Sequence, residues 1–127
     1  MAAQFSTRAR IAIERFAEIL GCAANAAPDQ SYGFVFARSG TLSVLPTEDG
    51  ERIIVALARA PNRSDIALQL RFFALAGLQS DSKTFVHAGM APDETMVLAV
   101  DLNEDGFDVQ SLDNAVSRLI ELQQSVL

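Results

Sequence analysis

Three short runs of β-forming residues follow one another between residues 31 and 59, and they constrain the fold more than any other feature of the sequence. They read SYGFVFAR, TLSVL and ERIIVALAR. Ser39-Gly40 separates the first two runs, and a longer turn from Pro46 to Gly50 separates the second from the third. Because glycine tolerates positive φ, such short connections are typical of antiparallel hairpins. The sequence therefore predicts three consecutive antiparallel strands.

A helical pattern precedes these strands. Between residues 5 and 20, apolar side chains recur at the helical period while charged ones fall outside the stripe. The stripe consists of Phe5, Ala9, Ala12, Ile13, Phe16, Ile19 and Leu20. This pattern predicts an amphipathic helix that ends near Gly21, where the helical period stops.

The second half of the chain continues with helix, two strands and helix. Ser64 is predicted to cap a helix that runs to about Gly77, and Ser111 is predicted to cap the last helix. The last helix carries apolar residues on one side, namely Leu112, Val116, Leu119, Ile120 and Val126. Residues 83–89 and 94–102 read as strands. The order α-β-β-β-α-β-β-α favours an α+β domain with an antiparallel sheet, formed by residues 1–127 as a single domain.

The middle helix is apolar on two faces. Leu68, Phe72 and Leu75 lie nearly opposite a second set, which consists of Ile66, Leu70, Phe73, Ala74 and Gly77. A helix that packs on one sheet buries only one apolar face, so another part of the protein must cover the second apolar face. Two readings remain open at this point: the terminal helices of the same chain cover that face, or a second copy of the chain covers it across a two-fold axis. We prefer the second copy.

Composition and charge exclude several classes of protein. The chain has a net charge of −6, which repels phosphate backbones and disfavours nucleic acid as a ligand. A single cysteine, Cys22, gives no intramolecular disulfide and points to a reducing compartment. No run of about 20 apolar residues predicts membrane insertion, and the charged N-terminal region is unlike a signal peptide. We expect a cytoplasmic protein.

The chain also lacks the residue combinations that carry catalysis. It has one histidine and one cysteine, with no CxxC, HExxH or glycine-rich phosphate loop. His87 lies within a predicted strand and is expected to be a hydrogen-bonded structural histidine, while Cys22 is expected to pack as a small hydrophobic residue. The sequence therefore predicts a protein that is not an enzyme and that uses neither a cofactor nor a metal.

One acidic segment imitates a calcium-binding loop. Oxygen-bearing side chains alternate from Asp101 through Asn103 to Asp105, before Gly106, as at the start of an EF-hand loop. The twelfth position, which should be a bidentate glutamate, is Leu112, and a strand pattern precedes the loop where a helix is required. A solvated acidic turn is therefore the preferred interpretation.

At this point the chain resembles a known family, the class I type III secretion chaperones, also called the Tir chaperone family. The resemblance spans nearly the whole sequence. It rests on the small acidic composition, the element order, the middle helix IALQLRFFALAGL, the strand ETMVLAVDL and the closing helix SLDNAVSRLIELQQSVL. It implies a cytoplasmic homodimer that binds the N-terminal part of a secreted effector in a largely extended form. The effector would thereby stay soluble and secretion-competent.

The resemblance also implies which residues make these contacts. Self-association through the middle helix would use Leu68, Phe72 and Leu75, or their opposite face. Effector contacts would involve the first helix and the sheet, including strand addition at a sheet edge. The candidates for them are Ile11, Arg15, Tyr32, Phe34, Phe36, Leu42 and Val44. Ile11 lies outside the apolar stripe and is expected to be exposed. The strand candidates must also build the core, and the sequence leaves undecided which face of the sheet is open.

Two other classes of function remain alongside the chaperone. A dimeric, non-catalytic interaction domain of the same fold would share every feature except the identity of its partner. An enzyme of small-molecule metabolism would need convergent polar groups and a perturbed titratable residue, which the sequence does not supply clearly. The enzyme is therefore placed last.

Overall fold

The computed structural model describes residues 5–21, 25–26, 31–36, 39–61, 65–79 and 84–126. Three helices and seven strands lie in this part of the chain. The helices are α1 (Thr7–Leu20), α2 (Ile66–Phe73) and α3 (Val109–Val126). The strands are β1 (Asn25–Ala26), β2 (Tyr32–Phe36), β3 (Gly40–Pro46), β4 (Arg52–Arg59), β5 (Gly77–Gln79), β6 (Thr84–Met90) and β7 (Met96–Asn103).

The strands form one antiparallel sheet with the order β1-β2-β3-β4-β7-β6-β5. The α+β class and the five predicted strands are confirmed, as β2, β3, β4, β6 and β7. The short edge strands β1 and β5 were not predicted, because two and three residues are too few to show a period of two. The predicted helix to Gly77 is too long: α2 ends at Phe73, and Gly77 has φ +123°, which a helix does not allow.

The centre of the sheet joins two distant segments. Strands β4 and β7 pair along their full lengths, from Arg52 opposite Asn103 to Arg59 opposite Met96. Between them in the sequence lie α2, β5 and β6. The sheet that β2, β3 and β4 begin is therefore widened by β7 and β6, because β7 pairs with β4.

Side-chain caps fix where the helices begin. Asp65, and not the predicted Ser64, is the N-cap of α2, since its side chain accepts a hydrogen bond from the Leu68 N–H at 2.8 Å. Ser64 itself lies outside the described residues. Ser111 is not the N-cap of α3 either. The Asp108 carboxylate accepts from the Ser111 N–H at 2.8 Å, and the Ser111 hydroxyl accepts from the Asp108 N–H at 3.0 Å. This reciprocal pair starts the helix before Ser111.

One hydrophobic core lies between the helices and a single face of the sheet. Its buried side chains come from all three helices and from the same side of β2, β3, β4, β6 and β7. The ring of Phe16 in α1 meets the ring of Phe34 in β2 edge to face, with 5.9 Å between centroids. Ile19 and Leu20, which the helical pattern placed in the buried stripe, are exposed in the last turn of α1, after the last buried residues. The opposite face of the sheet therefore has no helix on it in the described part of the chain.

Candidate interaction surface

Most of the strand residues proposed for effector contact belong to the core. Tyr32, Phe34, Leu42 and Val44 are buried and point toward the helices, and Phe36 is partly buried against the same core. Their side chains are therefore occupied by packing within the chain. The sequence supplied two apolar faces of the sheet and left undecided which one is open; the helices cover the face that carries these residues.

The opposite face of β2, β3, β4, β7 and β6 is open and mostly apolar, and we call it the open sheet face. Antiparallel sheets with one solvated face normally carry polar residues there. The face is formed by Gly33, Val35, Thr41, Ser43, Leu45, Arg52, Ile54, Ala56, Ala58, Phe85, His87, Gly89, Val97, Ala99 and Asp101. Contiguous apolar surface that faces solvent marks interaction sites in soluble proteins.

We call the central part of the open sheet face the basin, because small side chains line it. The strand register places Ser43, Ala56 and Ala99 side by side on β3, β4 and β7, so small side chains line the middle of the face, and His87 of β6 lies next to Ala99. Larger side chains stand around this middle. Val35 is 84% exposed at the β2 side. The other large side chains are Leu45 and Ile54 at one end and Phe85 at the β6 side.

The charged groups of this face are paired with each other. The Arg52 Nε lies 2.5 Å from Asp101 Oδ2, and its guanidinium also donates to the Asn103 side-chain oxygen at 2.9 Å. Arg52 and Asp101 face the same side at one end of the basin, where their strands are neighbours. The same contacts occupy two oxygen groups of the calcium-like segment. Within the described ranges, no three His, Cys, Asp or Glu side chains cluster in a way that would hold a metal ion.

His87 lies at the surface of the sheet. It is exposed on the open sheet face, with its ring centroid 4.8 Å from that of Phe85. It also borders a depression of about 270 Å³, together with Ile54, Ala99 and Asp101. His87 is thus a surface residue of the basin. The other residue considered for chemistry, Cys22, lies outside the described residues.

Helix α2 presents a second exposed apolar surface. Leu68 and Phe72 are buried in the core and Leu75 is partly buried against it, so the face proposed first for self-association packs within the chain. Ile66, Leu70 and Phe73 point outward, the first two 75% and 67% exposed. We call these three residues the α2 ridge. The face of α2 with Leu68 and Phe72 thus packs in the core, and the face with the α2 ridge lies at the surface.

The exposed flank of α1 forms a third surface. Ile11 is 52% exposed, which confirms the prediction for this residue. Arg15 is also exposed, one helical turn further along. At the start of the helix the Ser6 hydroxyl donates to the Glu104 carboxylate, and Arg8 donates to the Glu104 carbonyl oxygen at 3.0 Å. These bonds attach the first turn of α1 to the loop that follows β7.

A groove between α3 and β7 was not predicted. It has a volume of about 520 Å³, with Val100, Leu102 and Ala115 among its apolar lining residues. Arg118 and Glu121 also line it, with 3.5 Å between guanidinium and carboxylate. The groove escaped sequence reasoning because its two walls come from segments whose relative position depends on the folded sheet.

In the described part of the chain, the two carboxylates with shifted pKa values lie in turns. The Thr47 hydroxyl, followed by the Glu51 N–H, lowers the pKa of Asp49 through hydrogen bonds to its carboxylate. Hydrogen bonds from Thr95 likewise lower the pKa of Asp93. Both effects favour the ionised form and stabilise the turns, so neither carboxylate is tuned toward acid–base catalysis near neutral pH.

None of the helices that the structure describes is long and apolar enough to span a membrane. No protein-family model matches the sequence. No curated protein sequence matches it either.

Solved structures do resemble this fold. The Yersinia pestis type III secretion chaperone SycH, solved in complex with a stable fragment of YscM2, has a TM-score of 0.70 at 13% identity; the match covers 95% of this chain and 100% of that chain. The HopA1–SchA chaperone–effector complex gives a TM-score of 0.69 at 12% identity, over 92% of this chain and 91% of that chain.

A third match is the heterodimeric complex of ExoU and SpcU from the type III secretion system of Pseudomonas aeruginosa. Its TM-score is 0.60 at 15% identity, with coverage of 90% of this chain and 93% of that chain. The element order, the antiparallel sheet and these matches lead to one conclusion: over nearly its whole length, this chain has the fold of the type III secretion chaperones.

Proposed function

We propose that this protein is a type III secretion chaperone that binds the N-terminal region of a cognate effector in the bacterial cytoplasm and keeps it soluble and secretion-competent. The observation that carries the proposal is the open sheet face, an apolar surface that no described residue of the chain covers. Three of the solved structures with this fold are complexes with a second protein. A large apolar face that is uncovered in the free chain needs such a partner.

We further propose that the chaperone is a homodimer that associates through the α2 ridge. Ile66, Leu70 and Phe73 repeat at i, i+4 and i+7, which places them on one line along the helix. Covering a large apolar side chain contributes roughly 1.5–3 kcal/mol, so three of them from each chain supply a substantial part of a dimer interface. A two-fold axis would bring the two ridges together.

The two surfaces lie on different layers of the molecule, which allows both to be used at once. The α2 ridge belongs to the helical layer, since Leu68 and Phe72 on the other side of α2 are part of the core. The open sheet face points away from that layer. Self-association therefore leaves the effector surface accessible, and the exposed flank of α1 around Ile11 offers an additional contact for the same effector.

The proposal includes no catalytic step and no cofactor. The titratable groups of the open sheet face are Arg52 and Asp101, which neutralise each other, and His87 beside Phe85. A nucleophile paired with a base is absent from this face. Nucleic acid is disfavoured as a partner by the net charge of −6. The role of the protein is thus binding alone.

The proposal is tested by affinity capture with the tagged protein from the bacterium that encodes it. Mass spectrometry identifies the partner, truncation of the partner maps the bound region, and light scattering gives the stoichiometry. We expect one dimer bound to the N-terminal region of a secreted protein. Secretion of that protein should fall when the chaperone gene is deleted. Recovery of a partner that is never secreted would instead indicate a non-catalytic interaction domain of the same fold.

A matched pair of variants separates the two surfaces. Leu70→Asp places a charge in the α2 ridge and should yield a monomer by light scattering. Ala56→Arg places a charge in the middle of the open sheet face and should abolish partner binding while the protein stays dimeric. If Leu70→Asp leaves the dimer intact, the α2 ridge is not the interface. If Ala56→Arg leaves partner binding intact, the open sheet face is not the effector site.

A further inference from the structure

The negative charge of the chain is concentrated at one end of the sheet. The β3–β4 turn, the end of β7 and the loop of residues 104–108 meet there, because Arg52 lies opposite Asn103. We call this region the acidic end. Its carboxylates are those of Glu48, Asp49, Glu51, Asp101, Glu104, Asp105 and Asp108. The guanidinium groups of Arg52 and Arg8 lie among them.

The rest of the chain is nearly neutral. Seven carboxylates against two guanidinium groups give the acidic end a net charge of −5, whereas the whole chain carries −6. The remaining residues have nine carboxylates and eight cationic side chains. In the described part of the chain, the strands and turns of the opposite end carry Asp93, Glu94 and Arg59. The charge is therefore distributed unequally along the direction of the strands.

The open sheet face is continuous with the acidic end. Arg52 and Asp101 belong to both regions, and they pair with each other at 2.5 Å. The depression beside His87 reaches Thr47 in the β3–β4 turn. A second depression, of about 520 Å³, lies at the acidic end itself. It is lined by Gly50, Glu51, Arg52, Asn103, Glu104 and Asp105. A segment that covers the open sheet face can therefore extend directly over an excess of carboxylates.

These two regions favour different side chains in an occupant. In the middle of the face, Ser43, Ala56 and Ala99 have no charge that could pair with a charged side chain, so burial of such a side chain there is unfavourable. At the acidic end a basic side chain is attracted by the surplus carboxylates, and an acidic side chain is repelled. The charges of the opposite end nearly balance, so the attraction is specific to one end.

From this charge distribution we infer that the partner segment on the open sheet face carries lysine or arginine side chains directly beside its apolar residues, and that these basic side chains lie at the acidic end. The inference rests on the proposed function and specifies the chemistry of the partner. It holds for an extended segment as well as for a helical one, because it concerns only the charge of the side chains.

Three synthetic peptides test the inference. They share one uncharged run of leucine, valine and serine, and they end in lysines, in serines or in glutamates. Fluorescence anisotropy with an uncharged dye measures their binding to the full-length protein. We expect the lysine peptide to bind roughly fivefold more tightly than the serine peptide and the glutamate peptide to bind most weakly, with differences that shrink at high salt. Equal affinities, or no saturable binding of any peptide, would overturn the inference.

Charge-reversal variants separate the acidic end from the net charge of the chain. Glu48→Lys combined with Glu51→Lys changes two exposed residues of the β3–β4 turn and should abolish the preference for the lysine peptide. Glu18→Lys combined with Glu94→Lys gives the same net charge at exposed positions away from the acidic end and should retain the preference. Circular dichroism checks that both double variants are folded. An equal loss of preference in both would overturn the inference.

Two further measurements locate the peptide. Ala56→Arg should weaken binding of all three peptides; if this variant is unfolded, Val35→Arg at the exposed margin replaces it. A nitroxide at the lysine end of the peptide should broaden the amide NMR signal of Glu48 more than that of Asp93 or Thr95. Binding that the arginine variant leaves unchanged, or stronger broadening at Asp93 and Thr95, would contradict the proposed position.

The two proposals fail in different ways. A captured secreted partner whose bound region has no lysine or arginine beside its apolar residues would leave the chaperone function standing and refute the inference. Selective binding of the lysine peptide at the acidic end, without any secreted partner in the capture experiment, would support the inference and refute the chaperone function.

Discussion

Replacement of Gly40 by alanine should destabilise the protein severely. Gly40 opens β3 with φ +97°, a conformation that residues with a side chain rarely adopt. A Cβ atom at this position would lie 2.1 Å from the carbonyl oxygen of Ala58 and 3.1 Å from its carbonyl carbon. Both atoms belong to the backbone of the neighbouring strand β4, so no side-chain rotation relieves the contact.

The expected loss has two parts. The left-handed conformation costs an alanine roughly 1–2 kcal/mol. Relief of the contact requires β3 and β4 to separate locally, which weakens one or two ladder hydrogen bonds at about 1 kcal/mol each and loosens the core beneath them. The sum is about 2–4 kcal/mol, a large share of the 5–15 kcal/mol that stabilises a typical domain.

Gly50→Ala is the matched control for this prediction. Gly50 also has positive φ, +71°, but an added Cβ would meet no atom within 4 Å. It should therefore lose only the conformational part, roughly 1–2 kcal/mol. Urea unfolding followed by circular dichroism, at one protein concentration for all variants, gives both values. Equal losses for the two variants would refute the argument from the Ala58 carbonyl.

Four further predictions concern single side chains. Phe72→Ala should lower the free energy of unfolding by about 3–5 kcal/mol in urea titrations, because this ring is 1% exposed in the core; a loss under 1 kcal/mol would contradict its burial. Glu94→Gly should raise stability by about 1 kcal/mol, since Glu94 has φ +71° without being glycine; unchanged or lower stability would argue against strain at this turn. Ile11→Asp should weaken effector binding in calorimetry and leave the melting temperature unchanged, whereas unfolding would place Ile11 in the core. The pKa of Asp49 is lowered first of all by the Thr47 hydroxyl, so its stabilising effect is present above its ordinary value of 3.8 and lost as pH falls through the folded-state value; Thr47→Val should move the carboxyl titration measured by NMR to higher pH.

The sequence predicted the hairpins well because their signals are local. The β2–β3 connection at Ser39-Gly40 and the turn ending at Gly50 contain residues that tolerate tight turns, and the flanking runs are rich in β-forming residues. The short strand β5 could not be predicted in the same way. Its three residues, Gly77–Gln79, acquire their conformation from pairing with β6.

The faces of the elements were harder to predict than the elements themselves. In β2, Phe34 and Val35 are both apolar and point to opposite sides, so local pattern gives no reason to bury one and expose the other. In α2, Phe72 and Leu70 present the same ambiguity. The packing of three helices on one side of the sheet decides both cases, and that packing depends on contacts between segments far apart in the sequence.

The pairing of β4 with β7 has a consequence for biosynthesis. Strand β4, from Arg52 to Arg59, obtains its second neighbour only when residues 96–103 have been made and have folded back. Until then one edge of β4 is unpaired in the nascent chain. The side chains of Ile53, Val55 and Leu57 are also not yet covered by α3. Unpaired edges of this kind recruit other chains, and pairing between distant segments is slow. The growing chain is thus most prone to aggregation just before its seventh strand emerges, and slower translation of the segment after β4 would lengthen that period.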